Sequence, residues 1–319
     1  MLPISKRLVA FTGLLALTLL SGEAAIADQD QEKWVETSVD NFYLPGGLFR
    51  SQGLANTQGD VVFSWQYGLE KTTLSPDYQV LNRNFKYPSV PGIPSALLAF
   101  GDNHIGDIDY YDGKIYAPIE DGPTYQHPNI AVFDAKTLQP TGEVYALPLD
   151  IQGQQGVPWI AVDGEEGKAY TSQWDPISTI NVFDLNTFQL EKQIALSTTI
   201  GRIQGAKVYH GALYATSDNA DKSVYKIDLR DGTVTELFKM KDLPSYGNYT
   251  VHEMEGLAFF KRPHGAVSMD ILFIHGYTND YNLKSTTLHS SIHHFSLVIP
   301  PETEDVDDAA SHRFRFAPR

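Results

Sequence analysis

Five evenly spaced positions in this chain could present side-chain oxygens to a common axis. They precede the glycines Gly53, Gly106, Gly156, Gly205 and Gly256, and they hold Gln52, Ile105, Gln155, Gln204 and Glu255. Four of the five carry an oxygen, and Asp107 adds a carboxylate just past the second glycine. A set of carboxylate and amide oxygens suits a hard cation such as Ca²⁺, which takes six to eight oxygen ligands. Imidazoles offer a second chemistry: His104, His252 and His275 fall in the same loops and would suit Zn²⁺ or another borderline divalent metal. A third reading needs no ion, with the glutamines bonding neighbouring repeats and closing the space between them through water.

Proton transfer requires a base and an acid near one pocket. The pairs that sequence proximity offers are His104 with Asp107 and His252 with Glu255. No G-x-S-x-G elbow, H-E-x-x-H helix or phosphate-binding P-loop occurs, so standard serine-hydrolase, zincin and nucleotide-cofactor readings lack their motifs. The chain has no cysteine, which removes disulfides, thiolate metal ligands and a thiol nucleophile.

The elements that must position these residues are read from the same glycines. Successive separations, by subtraction of their numbers, are 53, 50, 49 and 51 residues, the mark of a repeat architecture. Each repeat opens with a short apolar strand and a tight turn, as in Asp107 to Tyr116 around Asp112-Gly113, the pattern of a β-hairpin. A third strand follows and ends in aspartate: Ile130 to Asp134, Ile180 to Asp184, Val224 to Asp228. That carboxylate suits the turn into a fourth strand because it can accept backbone N–H bonds locally. Four strands in each of five repeats predict an all-β, five-bladed β-propeller. The fifth repeat lacks its last strand, and Lys33 to Val39 is an unassigned strand near the N-terminus, so the N-terminal strand is expected to complete the last blade. A six-bladed ring would need a hairpin that the sequence does not have.

In this architecture, loops entering the first strand and leaving the second gather on one rim. The expected ligand-binding set there is Arg50, Trp65, Glu120, Trp174, Asp175, Arg202, Asp218, His275 and Tyr277. Trp65, Trp174 and Tyr277 would supply an aromatic wall for a sugar or a planar-faced ligand, or else pack between blades. His104 and His252 are the catalytic candidates, and Glu255, Asp107, Gln52, Gln155 and Gln204 the metal candidates.

The hairpin Asp107 to Tyr116 with Ile130 to Asp134, and its copy Ala161 to Tyr170 with Ile180 to Asp184, resembles the repeats of quinoprotein-like and YVTN-type propellers. The five-fold count and acidic channel resemble olfactomedin domains and calcium-activated apyrases, which implies Ca²⁺ in the channel. The openings Gln52-Gly53-Leu54-Ala55 and Glu255-Gly256-Leu257-Ala258 are similar to the E-G-L/I-A openings of esterase-like and gluconolactonase-type propellers, which implies a metal-binding role for Glu255. Gln52, Ile105, Gln155 and Gln204 depart from that pattern. The resemblance covers roughly residues 50 to 298.

Lys6 and Arg7, the apolar run Leu8 to Leu20 and the Ala25-Ile26-Ala27 end describe a secretory signal peptide over residues 1–27. The run is shorter than the ~20 residues of a spanning helix, so cleavage and export to a periplasmic or extracellular space are expected over membrane anchoring. Residues 28–300 form the propeller in this reading, and 301–319 an acidic, then basic flexible tail. A formal net charge of −15 argues against a nucleic-acid partner, whose phosphates it would repel. Two function classes stay open: a binding protein for a small molecule, glycan or protein, and a metal-assisted hydrolase or lactonase acting on an ester, lactone or phosphoester.

Overall fold

A computed structural model describes residues 32–262, 266–277 and 289–298. The expected leader, residues 1–27, and tail, residues 301–319, lie outside the described residues.

The first strand, β1 (Lys33–Tyr43), leaves the N-terminal region and is followed by four strands of the first blade: β2 (Gly53–Asn56), β3 (Asp60–Trp65), β4 (Gly68–Thr73) and β5 (Val80–Arg83). The second blade has a broken inner edge. There β6 (His104–Ile105) and β7 (Asp109–Tyr111) both pair with β8 (Lys114–Glu120), and β9 (Asn129–Asp134) and β10 (Pro140–Ala146) lie outside them. The third comprises β11 (Ala161–Asp163), β12 (Lys168–Thr171), β13 (Ile177–Asp184) and β14 (Leu190–Ile200). The fourth comprises β15 (Ile203–Tyr209), β16 (Ala212–Ser217), β17 (Ser223–Asp228) and β18 (Val234–Lys239). In the last, β19 (Val251–Lys261), β20 (Val267–Gly276) and β21 (His289–Val298) are completed by β1. The pairing of β1 with β21 is antiparallel, from Lys33 opposite Val298 to Tyr43 opposite His289.

Inner strands touch in ring order, β2 to β7, β7 to β11, β11 to β15, β15 to β19 and β19 back to β2. The fold is a five-bladed β-propeller, closed by its N-terminal strand as the sequence predicts. Its core is divided into apolar layers between adjacent blades. Ile105, Ile115 and Phe133 meet Val62 and Leu69 between the first two blades. Trp159, Ile180, Leu213 and Ile227 fill the space between the third and fourth. Each layer is built from alternating inward positions of two sheets, the arrangement by which stacked antiparallel sheets bury one face apiece.

The periodic glycines answer to the crowding at the axis. A Cβ on Gly256 would stand 2.3 Å from Asp107 Oδ1, and one on Gly53 would stand 2.4 Å from Asp107 Cα. The inner strands converge more closely than any side chain allows. The turn aspartates act as read: Asp134 Oδ1 accepts from the N–H (2.7 Å) and hydroxyl (2.7 Å) of Thr137, and Asp184 repeats this with Thr187. Among the described residues no helix is long and apolar enough to cross a membrane.

Candidate functional site

Asp107 lies in the break between β6 and β7, where the chain leaves the ladder and bridges to Trp159 of the third blade. Freed from its own sheet, the carboxylate reaches across the axis. Oδ1 accepts the Leu54 N–H of the first blade at 3.1 Å, and Oδ2 accepts the Ala206 N–H of the fourth at 3.2 Å. Lys207 Nζ completes the set at 2.6 Å from Oδ2, with both residues buried. Burial pushes the Asp107 carboxyl up, to about 7, against the pull of Lys207. Asp107, a metal candidate in the sequence, thus has partners for both oxygens within the chain. Its oxygens are engaged by three donors from two other blades, and the cation beside it is an ammonium of the chain itself.

Glu255 opens the fifth blade's axial segment and differs sharply from Asp107. It is 2 % exposed, and Oε1 has no hydrogen-bond partner. Burial, then the nearby charges of Glu253, Asp218 and Asp107, hold its carboxyl well above the usual range.

Above the axis the channel opens into two adjoining lobes that share Gln52, His104 and Glu253. The polar lobe, about 230 Å³, adds Glu120, Tyr125, Gln155, Trp174 and Gln204. The larger, about 420 Å³, is walled by Leu44, Leu48, Trp65, Tyr67 and Tyr87. Its aromatic wall is rigid, because Trp65 packs edge-on against Phe49, Phe85 and Tyr87 with centroids 5.1 to 5.9 Å apart. The structure thus brings Gln52, Gln155 and Gln204 together with His104, Glu120, Trp65 and Trp174 at one mouth. Within it, Gln204 Nε2 donates to Glu253 Oε1 at 3.4 Å.

His104 and Glu120 are direct partners across the β6–β8 ladder, which sets His104 Nδ1 3.3 Å from Glu120 Oε1, out of line for a hydrogen bond. Glu120 is fixed through its other oxygen, which accepts the Val157 N–H at 2.5 Å. Gly156 makes this approach possible: its φ is +72°, and a Cβ there would strike Glu120 Oε2. His104 therefore meets Glu120, and the expected pairing with Asp107 is not formed.

His252 is likewise placed by sheet register, opposite His275 on β20, with their Nδ1 atoms 3.2 Å apart. Its ring stacks on Tyr246 at 3.8 Å. His275 Nε2 bonds the Ser291 hydroxyl at 2.7 Å. Desolvation pushes both imidazoles down, His252 to about 4 and His275 to about 2, so both are neutral at pH 7. The expected partnership of His252 with Glu255 gives way to this histidine pair.

Several rim candidates are engaged by partners within the chain. Arg50 is buried; its Nε donates to Glu70 Oε1 at 2.7 Å, and its guanidinium lies 4.5 Å from the centroid of the Phe42 ring. Asp218 is buried as the acceptor for Arg202, Lys222 and the Met254 N–H. Arg202 in turn lies over the Trp174 ring at 4.9 Å, which steadies that wall of the polar lobe. His275 is inside its blade. Asp175 packs against Gly201 and lines neither lobe. Tyr277 is 60 % exposed and contacts the Tyr249 ring at 5.1 Å. Lys207 was missed by sequence reasoning; its signal was a lysine in a strand of small and apolar residues, Gly205-Ala206-Lys207-Val208. Leu44, Leu48 and Tyr87 carry no sequence signal beyond being apolar.

No protein-family model matches the chain, and no curated protein does. Solved structures give distant likenesses. The tail fibre of Staphylococcus aureus phage P68 is 13 % identical with a TM-score of 0.48, over 83 % of this chain and 53 % of that one. Hydrazine synthase of Kuenenia stuttgartiensis is 14 % identical with a TM-score of 0.40, over 81 % and 64 %. The computationally designed Ika4 protein is 14 % identical with a TM-score of 0.34, over 57 % and 93 %. This chain spans about half the length of the phage fibre. The propeller assignment rests on the five sheets and their ring of inner strands.

Proposed function

We propose that the chain is an exported binding protein that holds a small molecule at the channel mouth, one end polar and the other aromatic or apolar. One observation carries this reading: a polar lobe and an aromatic-walled lobe adjoin through Gln52, His104 and Glu253. Ligand sites are concave and mostly apolar, with a few polar groups that fix orientation, and the pair of lobes has that composition. A glycan residue, with hydroxyls for the glutamines and an apolar face for an indole, fits this description, and so does a planar aromatic acid or amide. Export rests on the leader read in the sequence.

The test is a thermal-shift and tryptophan-fluorescence screen with mono- and disaccharides and aromatic acids, repeated on Trp174→Ala and His104→Ala. Binding at the mouth requires hits that quench tryptophan emission and weaken at least tenfold in both variants. Hits indifferent to both substitutions, or a panel with none, would overturn the reading.

The His104–Glu120 pair favours a second reading, a hydrolase of esters, lactones or phosphoesters. An imidazole held beside a fixed carboxylate can take a proton from water as that water attacks. In this reading a cation such as Ca²⁺, or Zn²⁺, would be held by Glu255 Oε1 with the amide oxygens of Gln52, Gln155 and Gln204, and would polarise the substrate oxygen. The unpartnered buried oxygen of Glu255 supports such a site, and Asp107, committed to Lys207, is not part of it. Turnover on an ester, lactone and phosphoester panel that disappears in His104→Ala would select this reading.

A further inference from the structure

Beside the channel mouth, on the second blade's loops, three groups from two segments converge. Asp102 precedes β6, Asp121 follows β8, and His127 leads into β9. One ligating atom of each lies within 4.8 Å of the other two. The cluster is anchored from behind. Asn129 Nδ2 donates to Asp102 Oδ2 at 3.0 Å and to the His127 carbonyl at 2.9 Å, while the His127 N–H is given to Asp121 Oδ1 at 2.7 Å. The Thr124 hydroxyl also donates to Asp121 Oδ2. His127 Nδ1 lies 3.0 Å from that same Asp121 oxygen.

What sets this cluster apart from ordinary surface acids is Asp102. The residue is 1 % exposed, and its Oδ1 has no hydrogen-bond partner. A buried, unpartnered carboxylate oxygen beside a second carboxylate is costly, because desolvation and like charge act together. Folded proteins rarely keep such an atom without a partner, ordered water or an ion included. A divalent cation would answer both costs at once.

We propose that Asp102, Asp121 and His127 form a binding site for a first-row divalent transition metal, Zn²⁺ or Mn²⁺, distinct from the channel axis. The donor set decides the class. An imidazole beside two carboxylates suits these metals, whereas Ca²⁺ and Mg²⁺ favour oxygen alone. Two ligands each about 2.1 Å from a metal lie about 3 Å apart when adjacent, the separation already present between His127 Nδ1 and Asp121 Oδ2. On binding, His127 gives its Nδ1 lone pair to the metal and carries its proton on Nε2, and the Thr124 bond to Asp121 can persist. The His127 side chain is 45 % exposed, so the metal faces solvent and keeps open positions for water or an outside ligand. Three protein ligands with an open position is the pattern of reactive zinc sites, and closed structural sites use four.

The experiment titrates Zn²⁺, Mn²⁺, Ca²⁺ and Mg²⁺ separately into chelator-stripped full chain by calorimetry, with Co²⁺ as a spectroscopic probe. One equivalent of Zn²⁺ or Mn²⁺ should bind, Ca²⁺ and Mg²⁺ should bind at least tenfold more weakly, and Co²⁺ should develop visible absorption bands. Affinity should fall at least tenfold in Asp102→Asn and in His127→Gln and be unchanged in Glu255→Gln. His127→Gln alters a half-exposed side chain, so the test survives if Asp102→Asn fails to fold. Absence of transition-metal binding, binding indifferent to both substitutions, or binding lost in Glu255→Gln instead would overturn the site.

Discussion

Lys207 Nζ stands 2.6 Å from Asp107 Oδ2 at the axis of the propeller, with both residues buried and 100 positions apart in sequence. The pair joins the second blade to the fourth, and the Leu54 amide on Asp107 adds the first. Removing one partner of a buried ion pair takes away the compensation for the other's burial, which costs about 3–5 kcal/mol. Lys207→Met should lower unfolding stability by about that amount in urea titrations. A loss under ~1 kcal/mol, the size expected of an exposed pair, would show that the strut is not what holds these blades together.

This pair also shows where the sequence stopped being legible. Strand order, the five-fold count and closure by β1 all follow from local spacing, since glycine period, turn residues and alternation are short-range signals. Lys207 could not be assigned because its partner belongs to another repeat. Arg50 read as a rim cation because a lone arginine usually is one; only the fold brings up Glu70 and the Phe42 ring to bury it. His104 and His252 were paired with their nearest acids in sequence, whereas ladder register pairs them with Glu120 and His275. The one-residue phase of a strand decides such partners, and composition does not carry it.

Glu255 gives a prediction with two parts. Its folded-state carboxyl is raised well above 4.5, so its stabilising contribution is present at low pH and is lost as pH rises from about 4.5. Glu255→Gln, which replaces the titrating carboxyl by an amide that does not titrate, should therefore raise the melting temperature at pH 8 relative to the parent and flatten the profile above pH 5. If the axis also takes a cation, Ca²⁺ at a hundredfold excess over its dissociation constant should stabilise the stripped parent by about 2.7 kcal/mol and the variant by much less. Equal calcium responses in the two proteins would remove Glu255 from any ion site.

The histidine pair in the last blade predicts the opposite slope. Both folded-state values lie below the ordinary 6.5, so the unfolded chain takes up protons first. Their contribution is fully present above pH 6.5 and is lost as pH falls from 6.5 toward 4. The double variant His252→Phe with His275→Phe should show a shallower fall in melting temperature over that window. His294, held above 6.5 by Asp270 and Asp40 against its burial, acts in the other direction, so comparison with the parent is needed to isolate the pair. An unchanged slope in the double variant would mean that the pair does not titrate on unfolding.

The axial glycines allow a steric test. Gly256→Ala puts a methyl group where Asp107 Oδ1 stands, 2.3 Å from the new carbon, and the inner strands cannot separate without breaking the Asp107 amide bonds. A loss of about 1–3 kcal/mol is expected from overpacking, read as a lower urea midpoint. Gly113→Ala, at a turn with open space but a φ of +78°, controls for backbone strain alone and should cost less.

Removal of β1 should uncover the β21 edge. Deleting residues 28–40 takes away the β1 partners of Val298 to Ile292 and leaves a long strand with unpaired N–H and C=O groups. Size-exclusion chromatography should show association or aggregation. A monomer with an unchanged melt would contradict closure by this strand.

Closure by β1 also fixes an order of events during synthesis. Phe42 emerges before any blade is complete, and its partner Ser290 is made some 250 residues later. The first four blades can pair locally as they appear, since each finds its strands within its own repeat. The fifth cannot, and until β21 is made the earliest strand of the propeller has no neighbour to pair with. The two edges of the open ring, one at each end of the chain, are thus the last surfaces to be hidden. Contacts of such long sequence separation form slowly, because the loop between them must be closed before they give anything back. A chain that holds its first strand open for this long has a window in which β1 can pair with another copy. The yield of correctly closed rings should then fall with chain concentration during refolding, while the fraction with four formed blades does not.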